Sequence, residues 1–320
     1  MKRILLMICY VFLFHVPAGS VEKPDSSLVM FWNLENFFDH IDQGTGESDK
    51  EFSSFGGRHW TRKRFDSKCD AVAKAVFHLG DVYGKLPDVI GVAEIENRGV
   101  LSSLTGRTLL RKCGYGIIHY DSPDRRGIDV ALLYRKECVS ILSVSLKGTV
   151  YDGEWLRTRD ILHVRAVMSY GDTLDFIVNH HPSKYGGAKE SEGRRTAVMN
   201  SLKELCDSLG SDRIIAMGDF NDTPDAASFG IIGERLVNKA STLFEKGEGT
   251  IRHEGRWELI DMFLVSPGMD SRTSMKICKV PFLMKWDRKH PGFRPFRTYS
   301  GPRHIGGVSD HCPVILKVFR

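Results

Sequence analysis

Apolar positions along this 320-residue chain follow two periods. Short continuous apolar runs, such as residues 130–134, 176–178 and 214–217, are what strands buried on both faces look like. Residues 65–79 and 190–209 instead carry apolar side chains at helical spacing, with Ala71, Val72, Ala75, Val76 and Leu79 on one face of the first. Buried strands interspersed with amphipathic helices predict an α/β protein whose sheets pack face to face with helices outside. Periodicity alone does not separate this arrangement from other α/β folds. No low-complexity linker or internal repeat divides the chain, so one domain is expected over residues 21–320.

The apolar runs end in, or carry, polar groups of a particular kind. Met217-Gly218-Asp219-Phe220-Asn221-Asp222 ends a strand in a carboxylate and a carboxamide two residues apart. Residues i and i+2 of an extended segment share a side, so Asp219 and Asn221 can aim at one small target. An anion beside an amide suits a water that must be deprotonated and held against phosphorus. An Asx-rich turn completed by Pro224 has the same composition, and this motif alone does not decide between them. Five further runs join it: Val29-Met30-Phe31-Trp32-Asn33, Val89-Ile90-Gly91-Val92-Ala93-Glu94, Phe176-Ile177-Val178-Asn179-His180, Leu259-Ile260-Asp261, and Ser309-Asp310-His311 before residues 314–318.

This ordered set, over about residues 28–319, resembles the endonuclease/exonuclease/phosphatase superfamily of metal-dependent phosphodiesterases. The resemblance implies a four-layer α/β/β/α sandwich, two mixed and mainly antiparallel sheets with helices outside, and a site at one edge where strand ends converge. It implies Glu94 as principal ligand of Mg²⁺, with Mn²⁺ or Ca²⁺ also suited, Asn33 offering an amide oxygen and Asp310 facing the metal side. Glu96 is the rival carboxylate, and the strand match favours Glu94. Asp219 would orient or deprotonate the water, and Asn221 would fix the phosphate or the water. Asp261 would set the tautomer of His311 and raise its pKa, leaving His311 to donate to a phosphoryl oxygen or act as base. His180 would stand opposite and stabilise the transition state or leaving group. His181 is expected to pack on the other face, and Asp129 is a possible partner for His180. Three functions remain open: a nuclease, a phosphatase or phospholipase acting on inositol phosphates or sphingomyelin-like head groups, and an inactive phosphate-binding module.

Charge and composition add an address and a partner. Lys2-Arg3, an apolar run over residues 4–14 and Ala18-Gly19-Ser20 read as a signal peptide spanning residues 1–20. The run is too short to span a bilayer, so an exported, periplasmic or extracellular monomer without stable membrane insertion is expected. Cleavage after Ser20 removes Lys2 and Arg3 and lowers the formal charge from +5 to +3. The six cysteines beyond it are widely spaced, show no zinc pattern and read as mostly buried thiols. Residues 279–303 hold seven Lys/Arg against one acid, together with Phe282, Trp286, Phe293, Phe296 and Tyr299. A basic, aromatic segment leading into Asp310-His311 suits a phosphodiester substrate, nucleic acid first. Arg297 and Tyr299, hemmed by Pro295 and Gly301-Pro302, are the expected contacts beyond the scissile phosphate, with Arg126 of Arg126-Gly127-Ile128-Asp129 a further substrate-binding candidate.

Overall fold

Two six-stranded sheets take up the apolar runs in the computed structural model, which describes residues 26–44, 46–184 and 187–319. The signal-peptide expectation for residues 1–20 lies outside the described residues. The first sheet runs, in spatial order, Thr273–Ile277, Val314–Phe319, Ser26–Phe37, Val89–Ile95, Asp129–Arg135 and Tyr115–His119. The second runs Val237–Asn238, Asp261–Val265, Ile214–Asp219, Thr173–His180, Ile161–Met168 and Val139–Lys147. Each sheet has one parallel pair at its centre and antiparallel neighbours around it. A parallel pair delivers both carboxyl ends to the same edge, and that edge carries the chemistry.

The continuous apolar runs follow from burial on both faces. Val29 and Phe31 of Ser26–Phe37 join the core between the sheets, while Leu28, Met30, Trp32 and Leu34 join the core beneath two helices. Those helices are α1, Arg62–Tyr83, and α2, Arg98–Arg107, which packs Val100, Leu101 and Leu104 inward. The Asn97 side chain caps α2 by accepting from the Val100 N–H at 3.0 Å. On the opposite side α3, Ala188–Leu209, lays Val198, Met199, Leu202 and Cys206 on the second sheet, which completes the four layers α/β/β/α. The sheets pack tightly at Gly91, where an added Cβ would stand 2.6 Å from the Met217 Sδ of the opposing sheet. Only glycine leaves room for that methionine.

Register then sets the site. Asn33 lies beside Ala93, so Glu94 follows at the same edge, and Asp219 sits between His180 on one neighbour and Asp261 on the other. The six described cysteines are free thiols, and burial pushes Cys69, Cys206 and Cys312 up to about 12. Among the described residues no helix is long and apolar enough to cross a membrane.

Candidate active site

Asp219 is the hub of the second sheet's contribution. Its Oδ2 accepts from Asn33 Nδ2 at 3.0 Å, which ties the two sheets together, and its Oδ1 accepts from the Asn221 N–H at 2.9 Å. His180 Nε2 stands 3.6 Å and His311 Nε2 3.9 Å from the same Oδ2. Burial first, then the charge of Asp261, pushes the Asp219 carboxyl up to about 7, although His311 and the two hydrogen bonds oppose this.

The two imidazoles are held in opposite charge states. His311 Nδ1 lies 2.8 Å from Asp261 Oδ2. Burial alone would lower the His311 pKa, but Asp261, Asp219 and Asp310 together hold it well above the ordinary histidine range. His180 is driven well below that range by burial and by Arg159 and Arg126, so it stays neutral at pH 7. Its buried Nδ1 has no hydrogen-bond partner among the described residues, which leaves Nε2 as the atom facing the site. Ser309 explains why the Ser309-Asp310-His311 run is built as it is. Its hydroxyl donates to the Asn33 carbonyl at 2.6 Å and accepts from the His311 N–H at 3.0 Å, while Trp32 Nε1 donates to the His311 carbonyl at 2.9 Å.

The first sheet contributes carboxylates. Glu94 Oε2 accepts from the Asn36 N–H at 2.6 Å and lies 3.7 Å from Arg126 Nη2, whose guanidinium also bonds Asn36 Oδ1. Asp310 Oδ2 is 2.9 Å from Arg297 Nη2, and Arg297 Nε is 3.4 Å from Glu35 Oε1. Glu35 is buried and pushed up to about 7 by burial and by Asp310, against Lys68, Thr298 and Arg297. Lys68 reaches up from α1 to donate to the Glu35 carbonyl at 2.6 Å and to Thr298 Oγ1 at 3.1 Å. Burial lowers its pKa to about 8 even though Glu35, Glu94 and Asp310 all favour the charged form. A sulfur-free set of carboxylates, one of them driven toward neutrality by burial and by Asp310, fits a hard, oxygen-preferring divalent cation.

Backbone strain gathers at the same edge. Among the described residues seven non-glycine positions have positive φ, and four of them are Glu35 at 45°, Asn36 at 48°, Glu94 at 61° and Asn221 at 51°. Each costs about 1–3 kcal/mol and persists only where the surroundings over-determine it. The hydrogen bonds from the Asn36 and Asn221 N–H groups to carboxylates provide that support.

The model of the Endonuclease/Exonuclease/phosphatase family matches residues 28–320. The chain belongs to this family. No curated protein matches the chain in sequence. Solved structures share the family fold at low identity. An endonuclease/exonuclease/phosphatase family protein from Bacteroides thetaiotaomicron is 16% identical, with 93% of this chain and 99% of that one covered and a TM-score of 0.59. The mannosyl-6-phosphatase of the same organism is 17% identical over 92% of this chain and 100% of its own, TM-score 0.56. D. rerio TDP2, solved with a single-strand DNA product, is 14% identical over 92% and 99%, TM-score 0.54.

Several side chains do something other than the sequence suggested. Asp129 does not reach His180; it is 3.1 Å from His119 Nε2 and accepts from the N–H and hydroxyl of Ser122. Tyr299 is buried among Phe52, Trp60 and His304, its hydroxyl donating to the Arg58 carbonyl at 3.0 Å, so it props the loop instead of meeting substrate. Arg297, also expected to contact substrate, pairs with Asp310 and Glu35. The Asn33 amide oxygen accepts from the Glu35 N–H at 2.9 Å, and Asn221, in a left-handed turn, donates to the His181 carbonyl at 3.0 Å. Glu96 turns away from Glu94: its Oε2 accepts from the Asp39 N–H at 2.6 Å and burial pushes the group up to about 9. His181 packs on Phe220, as expected, with ring centroids 4.9 Å apart.

Three participants were missed. Glu35 follows Asn33 at the i+2 spacing that singled out Asn221 after Asp219, and the same argument finds it. Lys68 interrupts the buried face of α1 between Phe65, Cys69 and Val72, a signal in itself. Arg159 carries no local pattern; buried, it bonds the carbonyls of His180 at 3.2 Å and His181 at 2.6 Å and pairs with Asp124 at 2.9 Å.

Proposed function

We infer that this chain is an exported, divalent-metal-dependent phosphodiester hydrolase that acts on nucleic acid. The observation that carries the reading is one carboxylate, Asp219, placed between a cationic His311 and a neutral His180 and tied by Asn33 to the Glu94 side of the junction. A group pushed up to about 7 can take a proton from water at neutral pH, and this is the role given to Asp219. His311, kept charged by Asp261, donates from Nε2 to a phosphoryl oxygen. His180 Nε2 meets the same phosphoryl group from the other side. Asn221 fixes the water through its remaining amide capacity. Glu94 and Asp310, with Asn33 and Glu35 beside them, would hold Mg²⁺ or a cation like it. When bound, that cation neutralises charge on the phosphoryl oxygens and steadies the leaving oxygen. Arg126 and Arg297 set the spacing of these carboxylates. Export rests on the basic and apolar pattern of residues 1–20.

Nucleic acid is favoured by the hairpin Met284–Asp287 with Gly292–Pro295, which springs from the site where Met284 meets Cys312, the residue after His311. One of its faces pairs Lys285 with Arg294, and the other presents Trp286 and Phe293, 52% and 59% exposed, edge to face at 5.3 Å. Exposed rings on one face suit stacked bases, and the basic pair on the other adds positive charge to the same hairpin. The same exposed pair also favours a second reading, a phosphorylated lipid head group presented at a membrane surface. A panel of polynucleotide, bis-aryl phosphodiester, inositol phosphates and sphingomyelin vesicles, each with Mg²⁺, Mn²⁺, Ca²⁺ and EDTA, tests both readings. Ala at Trp286 and Phe293 should cut turnover of the polynucleotide and spare the aryl ester. Loss confined to vesicles supports the lipid reading, and absence of metal-dependent turnover on every substrate would return the chain to a phosphate-binding role.

A further inference from the structure

Two residues beyond Glu94 the chain builds a second acidic cleft, of about 550 Å³. Five carboxylates line it, Asp49, Glu96, Asp121, Asp124 and Asp129, against one arginine, Arg98. Two of the five are already matched, Asp124 by Arg159 and Asp129 by His119 and Ser122. Asp49 and Glu96 are different. Glu96 is only 8% exposed, and its Oε1 has no hydrogen-bond partner among the described residues. Asp49 is 3% exposed, with Oδ2 accepting from the backbone N–H of Gln43 at 2.8 Å and of Gly44 at 2.5 Å. Both side chains converge on Gly44, where a Cβ would stand 3.2 Å from Asp49 Oδ2 and 3.5 Å from Glu96 Oε1.

Backbone N–H groups serve Asp49 Oδ2 and Glu96 Oε2 but none serves Glu96 Oε1, and two buried carboxylates so close repel unless a cation or a shared proton intervenes. We propose that Asp49 and Glu96 form a second, structural cation site of the Ca²⁺ class, separate from the cation expected at Glu94. Calcium suits it better than magnesium, because it accepts irregular sets of six to eight oxygens, including carbonyls and waters, and the cleft is open to solvent. The site would steady the reacting edge. The Glu47 N–H donates to the Arg125 carbonyl at 2.8 Å and the Ser48 N–H to the Arg126 carbonyl at 3.3 Å. Fixing Asp49 therefore fixes the segment that carries Arg126 against Glu94 and Asn36.

Calorimetric titration with CaCl₂ alone tests this on the whole chain and on Glu94→Gln, Glu96→Gln and the double variant. Glu96→Gln should remove one equivalent of bound Ca²⁺ whether or not Glu94 is intact, and the calcium-dependent rise in Tm of Glu94→Gln should vanish in the double variant. Asp49→Asn, which keeps an oxygen for both backbone donors, should do the same and carries the test if Glu96→Gln fails to fold. Unchanged calcium stoichiometry in both single variants would overturn the proposal and leave the pair sharing a proton. If Glu94→Gln changes nothing while Glu96→Gln loses one equivalent, the catalytic assignment falls and this site stands.

Discussion

Replacing Asp219 with Asn separates the chemical role of this carboxylate from its structural cost. The group moves from an ordinary 3.8 to about 7 in the folded protein, because it is buried beside Asp261. That rise corresponds to about 4 kcal/mol. The folded state binds the proton more tightly than the unfolded chain, so the penalty is absent below the unfolded pKa of about 4, grows between there and 7, and is constant above. An asparagine carries no such penalty. It keeps an oxygen for the Asn221 N–H but turns an amide toward Asn33 Nδ2, losing one hydrogen bond at about 1 kcal/mol. Measured in EDTA, Asp219→Asn should therefore be slightly less stable than the natural chain at pH 4 and more stable, by about 1–3 kcal/mol, at pH 8. The same change should lower kcat by a factor on the order of 10²–10⁴ at saturating metal, the usual contribution of a positioned base. Thermal melts across pH 4–9 and steady-state kinetics on a bis-aryl phosphodiester make the comparison. A stability difference that does not change with pH would refute the account of Asp219 as a buried, proton-holding group, and an unchanged kcat would remove it from the chemistry.

Three further outcomes follow from the neighbouring groups. Glu94→Gln should cost several orders of magnitude in activity, on the order of 10³ or more, and recover in part at high Mg²⁺; an unchanged metal titration would dismiss Glu94 as ligand. Asp261→Asn should return the His311 imidazole toward its ordinary pKa in an NMR titration and reduce kcat on the order of 10²-fold or more, and it should add little to the loss in Asp219→Asn if both act in one step. Lys68→Met removes the buried ammonium that donates to the Glu35 carbonyl and to Thr298 Oγ1 and should destabilise by roughly 3 kcal/mol, visible as a lower Tm; an unchanged Tm would show that Lys68 does not hold the Glu35 turn.

The sequence made the strands legible because burial on both faces writes continuous apolar runs, and it made their polar ends legible because a carboxylate at the end of such a run has no packing reason to be there. The sheet partners were another matter. That Asp261 lies across from Asp219, and His180 on its other side, follows from a register that only long-range pairing sets. The i+2 spacing brings Asn221 against Asp219 but does not give its direction, since the backbone leaves the extended region at φ 51° and sends the amide to His181. The basic, aromatic segment shows the same limit. Composition marks residues 279–303 as unusual but does not tell which aromatic turns inward: Tyr299 became a buried prop, while Trp286 and Phe293 stayed in solvent. Arg159 was invisible because it acts through its reach to two backbone carbonyls.

The inward pull of Arg297 bears on how the site tolerates its own charge. Glu35, Glu94 and Asp310 come together at a strained strand end, and in the folded chain Arg297, Arg126 and Lys68 each contact one or two of these residues. None of the three cations is wholly free: Arg297 spans two acids, Arg126 also binds Asn36, and Lys68 is buried with its pKa lowered to about 8. Such a set leaves Glu35 pushed up to about 7, by burial first and then by Asp310, despite the cations beside it. A divalent cation held there, as proposed, would complete the charge balance, whereas tighter Arg–carboxylate pairs in the cluster would stabilise the fold and leave no place for it. The left-handed turns at Glu35, Asn36 and Glu94 are the backbone's share of the same compromise, because they aim side chains inward that a regular strand would have carried alternately to its two faces.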